Sequence, residues 1–118
     1  MTAGAAASLA ARECALEDNE TRIEDAIRVL RILETQLAAL GLIDEPAAEA
    51  YSAGSTLALP DAWCGVYVWY LAAEWHLSLG EGRRYENARA RFETELAAVR
   101  AALRRRKTPE PAQRWKLG

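Results

Sequence analysis

The chain has 118 residues, a formal net charge of −2, only two cysteines and one histidine. One domain is the expectation at this length, and the Cys and His supply falls short of the roughly four ligands a structural zinc site takes, so neither metal nor cofactor is expected. The longest apolar run, Ala62 to Ala73, falls short of the roughly 20 residues a bilayer crossing takes, and no basic residue precedes Arg12, which argues against a secretory signal; a soluble, intracellular protein with reduced thiols is expected.

Ala, Leu, Glu and Arg dominate the composition, which favours helix and predicts an all-α bundle of three to four helices. Residues 1–20 form an N-terminal segment. Its stretch from Thr2 to Leu16 reads as a short, mobile helix with little to pack except Leu9 and Leu16, broken by Glu17-Asp18-Asn19-Glu20. The bundle proper is expected over residues 21–106. Thr21 followed by Glu24 fits a capping box, and Ile23, Ile27, Leu30, Leu33, Leu37 and Leu40 recur three and four apart, the stripe of an amphipathic helix ending before Gly41. Glu24, Arg28, Arg31 and Glu34 are placed off that stripe.

Residues 42–59 change character, with a short turn after Pro46 and an extended arm from Ser55 to Pro60 expected to lie across the bundle. A helix follows from Pro60-Asp61 to Leu79, apolar on nearly every side, which suits either a central helix or one shared between subunits. In so small a domain the second is favoured, making Trp63, Tyr67, Trp69, Tyr70 and Trp75 the expected subunit interface. The last helix is expected from about Arg84 to Arg106, with Tyr85, Ala88, Phe92, Leu96, Val99 and Leu103 as its stripe and a Glu86–Arg89 pair on its surface.

Residues 107–118 read as an extended tail. From Arg104 onward the chain carries six basic residues and one acidic, a balance of +5, whereas the first 103 residues balance at −7. A basic segment with two prolines and one large apolar residue, Trp115, cannot build a core and is expected to order by docking elsewhere.

Candidate chemistry is thin. Glu74 cannot orient His76 from two positions away on a helix, and no Ser or Cys is placed to use it, which argues against general-base catalysis. The aromatic cluster lacks the interleaved Lys and Arg of a nucleic-acid stacking surface. The acids from Glu13 to Asp25 read as a solvated patch. Arg104, Arg105, Arg106 and Lys107 suit either a phosphate-rich partner, an acidic groove, or simply the negative end of a helix dipole.

The order of elements resembles the head-to-tail adaptor (connector) proteins of tailed bacteriophages. The likeness covers roughly residues 21–106: the helix ending near Gly41, the loop Thr56-Leu-Ala-Leu-Pro60, the aromatic helix, a Gly-containing turn, and Tyr85-x-x-Ala-Arg-x-Arg-Phe-Glu-x-x-Leu-Ala-x-Val-Arg100. The first twenty residues have no counterpart. The resemblance implies a non-enzymatic virion protein, assembled in the bacterial cytoplasm into a ring, commonly of twelve copies. Such a ring stacks on the portal protein and carries the tail or stopper protein. DNA passes through without specific binding, as a net-negative body would favour. It further implies a C-terminal segment reaching the portal, with Arg104, Arg105, Arg106, Lys107, Arg114, Trp115 and Lys116 as the docking residues. Two alternatives stand beside it: a helical nucleic-acid-binding regulator using the basic segment, and a small helical enzyme resembling the helical chorismate mutases. The enzyme would need inward Arg and Lys residues that the apolar stripes lack.

Overall fold

The computed structural model describes residues 1–107. Four α-helices occur among them: α1 (Ala3–Glu13), α2 (Glu20–Ala39), α3 (Gly65–Ser78) and α4 (Gly82–Lys107), with a 3-10 turn, Asp61–Trp63, leading into α3. The described residues form no strand, only an isolated antiparallel bridge between Thr2 and Thr56. The expected helical bundle is therefore the architecture, while the residues beyond Lys107 lie outside the described part.

Three of the helices stop by the same device. After α2 and α3 the chain turns left-handed at Gly41 (φ 76°) and Gly80 (φ 73°), and the next amide, Leu42 or Glu81, donates back to Leu37 or His76 at 2.9 Å. These bonds satisfy carbonyls that the helix leaves orphaned, and glycine takes the conformation without a Cβ clash. Helix α1 ends the same way on Ala15 (φ 53°), with Leu16 donating to Ala11 at 2.8 Å. An L-residue in that region carries a steric cost that glycine avoids.

The N-terminal segment departs most from expectation. Far from being peripheral, α1 is sealed into the core by Ala3, Ala6, Ala7, Ala10 and Ala11, all buried. The methyl-sized stripe contributes little volume, yet it packs α1 against α2 and α3. Thr2 caps the helix by accepting from Ala5 N at 3.1 Å. At the start of α2 the cap is Asn19 and not Thr21: its side-chain oxygen accepts from Arg22 N at 2.9 Å, so the helix begins one residue before the expected box.

Helix α3 is the central element, flanked by α1, α2 and α4. Val66, Tyr67, Val68, Leu71, Ala72, Ala73, Trp75 and His76 are all buried by the chain's own segments. The alanine face of α1 covers one side of this helix from within the chain, while Trp69 and Tyr70 stay half-buried and Leu77 exposed. Helix α4 runs antiparallel to α3 after the Leu79–Glu81 turn and buries Ala88, Phe92, Leu96 and Val99. Tyr70 and Phe92 meet with ring centroids 5.1 Å apart, tilted by 58°. On the α4 surface the ion pairs are Arg84–Glu81 and Arg89–Glu93, not Glu86–Arg89.

The arm between α2 and α3 does lie across the bundle. Ala3 and Gly4 donate to the carbonyls of Ser55 and Ala53, and Leu57 donates to that of Met1, at 2.8–2.9 Å. What holds its middle is a buried acid. Glu34, 0% exposed, accepts from Ala47 N (2.8 Å) and Tyr51 Oη through Oε1, and from Ala58 N (2.7 Å) and Tyr67 Oη (2.7 Å) through Oε2. Tyr67 Oη in turn accepts from Leu59 N at 2.8 Å. Four donors on one carboxylate tie the arm at two points to α2 and α3, which offsets the cost of burying the charge.

Candidate functional site

Helix α4 outlasts its partner. A Cβ built on Gly65, the first residue of α3, would meet Glu95 Cδ at 2.8 Å, so α3 starts opposite Glu95 and the rest of α4 runs past it. Beyond that point residues of the arm face α4 across a cleft of about 450 Å³. Its floor is Leu42, Leu59, Trp63, Val99 and Leu103; its rim carries Asp44, Glu45 and Arg106.

Each wall traces back to a local device. The left-handed turn at Gly41 swings Leu42 and Ile43 toward α4. The Glu34–Ala58 and Tyr67–Leu59 hydrogen bonds fix the backbone so that Leu59 is buried. Pro60 then starts the 3-10 turn that carries Trp63 to the cleft's edge, where it is half-buried. A second groove of about 440 Å³ opens on the other side of Leu42 and Leu103, lined also by Leu40, Arg100 and Arg104. Leu40 is 55% exposed there, the most exposed large apolar side chain among the described residues. Apolar surface with a charged rim at one end of a bundle is the usual signature of a docking face.

Arg104, Arg105 and Arg106 sit exposed on the last turns of α4, where the helix dipole favours cations. Lys107, the last described residue, is helical. Arg114, Trp115 and Lys116, the other expected docking residues, lie outside the described residues.

The five expected interface aromatics do not act as one surface. Tyr67 (0% exposed) and Trp75 (2%) are spent inside the fold, Tyr67 on Glu34 and Trp75 on Asp25, whose Oδ2 accepts from its indole Nε1 at 2.7 Å. Burial alone would raise the Asp25 carboxyl, but the Trp75 and Arg28 hydrogen bonds and the charges of Arg28 and Arg22 outweigh it and hold the group below its ordinary value. Arg22 also lies over the Trp75 ring, 5.2 Å from its centroid. Trp63, Trp69 and Tyr70 are half-buried on different faces. Trp69 carries Arg91 of α4 over its ring at 4.5 Å, a cation–π contact that the sequence of α3 alone does not disclose.

The fold brings Cys14 to His76, which sequence spacing does not suggest. Cys14 Sγ lies 3.6 Å from His76 Nε2, and His76 Nδ1 lies 3.8 Å from Glu81 Oε2. In an open cleft this order of groups would suit a nucleophile, a base and its orienter. Here Cys14 is 4% exposed, and burial first, then the charges of Glu81 and Glu13, push its thiol up to about 11. The thiol also lies 3.6 Å from the Ala72 carbonyl, within reach to donate. A buried, protonated thiol is a packing group and not an activated nucleophile.

Sequence reading missed Glu34 and the cleft. Glu34 stands four residues after Leu30 and three before Leu37, inside the apolar stripe, and that register was the available signal. The cleft depends on the relative lengths of α3 and α4, which sequence pattern leaves open to a few residues. Among the described residues no helix is long and apolar enough to cross a membrane. No protein-family model, no curated protein and no solved structure matches this chain.

Proposed function

We propose that this chain is a structural, non-enzymatic head-to-tail adaptor of a tailed bacteriophage or prophage. Copies form a ring that docks on the portal protein, carries the tail or stopper protein and encloses part of the DNA channel of the virion. The single observation that supports this reading is an apolar cleft with exposed cations beside it at one end of the bundle. There the cleft, the exposed Leu40 and the exposed Arg104–Arg106 lie together, on the helix from which the basic C-terminal segment leaves. Most of the aromatic and buried polar groups, by contrast, are satisfied by the chain itself. Ring contacts are heterologous, so two different faces of one subunit must match. With Tyr67 and Trp75 consumed internally, Trp63, Trp69 and Tyr70 remain to contribute to them, together with the exposed Ile32, Leu77 and Leu79.

The test is a chain ending at Lys107. It should keep its helical circular dichroism and lose binding to the portal protein encoded in the same genome, and the full chain with that portal should give rings in negative stain. Unchanged portal affinity of the shortened chain would overturn the docking role of the tail. The exposed Arg104–Arg106 cluster also suits a nucleic-acid contact, which predicts duplex binding that falls steeply with salt. Gel shifts showing no complex at low salt remove that second reading.

A further inference from the structure

The rim of the cleft sets two acids, Asp44 and Glu45, against one cation, Arg106. Asp44 and Glu45 are exposed and make no ion pair among the described residues, and they stand over a floor in which Leu42, Trp63 and Leu103 are only half-buried around the buried Leu59. Such a site fits a large flat apolar group with a cation beside it. At about 450 Å³ it is in the size range of pockets that enclose small ligands, roughly 300–1,000 Å³.

The chain itself carries a group of that chemistry in Arg114-Trp115-Lys116. We propose that the cleft seats this tip of the same chain, with the Trp115 indole on the apolar floor and Arg114 and Lys116 against Asp44 and Glu45. The distances allow it. Lys107 lies one turn beyond Leu103, and the way back along α4 from Lys107 to Val99 is about 12 Å at helical rise. The stretch from Lys107 to Trp115 spans up to about 26 Å when extended, which leaves about half of its length for the reversal. Pro109 and Pro111 in that stretch disfavour continuation of α4.

Tethering sets the balance. A short linker presents the tip at an effective concentration on the order of 1 mM, so even a weak contact is populated within one chain while the same contact between chains is not at micromolar protein. The unassembled protein thus stores its own anchor, and a partner must outcompete the cleft to take it. This inference does not need the adaptor reading, because a stored tip suits any partner that later captures it.

The experiment uses the full chain labelled with ¹⁵N and ¹³C. The Trp115 indole N–H is assigned by its loss in Trp115→Phe, and its nuclear Overhauser contacts are recorded. Contacts to the methyl groups of Leu42, Leu59 and Leu103, unchanged on dilution, are expected. They should vanish in an isotope-filtered experiment on a mixture of labelled and unlabelled copies. Reversal of the lip, Asp44→Lys with Glu45→Lys, should lower the seated population's closing equilibrium about threefold to tenfold. The Trp115 resonance would then move toward that of a free peptide of residues 108–118. The Trp75 indole, held by Asp25, should stay in place and report that the fold is intact.

A Trp115 resonance already at the free-peptide position in the parent chain overturns the proposal. So does a contact seen only in the filtered mixture, which would assign the cleft to a second copy. A resonance that ignores the lip reversal removes the charge pairing on which the assignment rests. Portal binding is scored separately. Its loss in the shortened chain with the cleft empty in the full chain would sink this inference alone, and a seated tip with no portal binding by the full chain would sink the adaptor reading alone.

Discussion

Replacing Glu34 by Gln keeps the side chain's shape and removes its charge, which isolates what the carboxylate does for the arm. Glu34 accepts four hydrogen bonds, two from backbone amides and two from tyrosine hydroxyls. The Gln oxygen would best face Ala58 N and Tyr67 Oη, the deeper pair, where two charge-assisted bonds become neutral ones of about half the strength; that costs about 1–2 kcal/mol in all. The new amide then points at Ala47 N and Tyr51 Oη. The tyrosine can rotate to accept, but the backbone N–H must turn to Tyr51 Oη alone or to water, for about another 1–2 kcal/mol. A loss of about 2–4 kcal/mol is expected as a lower urea midpoint at unchanged slope. Native-state hydrogen exchange should show the amides of Ala47, Ala58 and Leu59 accelerated more than those of α3, because the arm opens before the bundle does. A loss below about 0.5 kcal/mol, or uniform acceleration throughout the chain, would refute the view that this carboxylate pins the arm.

Ala15→Gly should stabilise the protein by about 0.5–1 kcal/mol, seen as a higher melting temperature, because glycine relieves the left-handed cost at the end of α1 and loses only part of that gain to unfolded-state entropy. Thiol labelling of the native protein near pH 8 should modify the half-buried Cys64 and spare Cys14, which should react only on unfolding; equal rates would contradict the buried Cys14–His76 contact. Burial, with the Glu34 hydrogen bond and charge, pushes the Tyr51 hydroxyl from 10.0 up to about 12. The fold thus favours the protonated phenol, so this contribution is whole below about pH 10 and is lost as pH rises toward 12. Tyr51→Phe should flatten the alkaline limb of the stability profile, and an unaltered limb would rule the group out.

What the sequence disclosed was whatever rests on large apolar side chains in register. The stripe of α2, the stripe of α4, the glycine stops and the extended arm were all readable, since period and cap chemistry are local. Helix α1 was not, because alanines pack by proximity and not by volume, and a run of them looks equally suited to solvent. The alanine face of α1 also bears on α3, part of whose apolar surface it covers. Glu34 is a charged residue whose register nonetheless places it with Leu30 and Leu37. The Cys14–His76 contact joins residues 62 apart and needs the whole topology to be seen.

The unmatched length of α4 has a mechanical corollary. Past Glu95 that rod is a cantilever, propped by the arm and not by a sister helix. A load on that stretch would pass into the arm and from there toward Glu34, the acid that moors it.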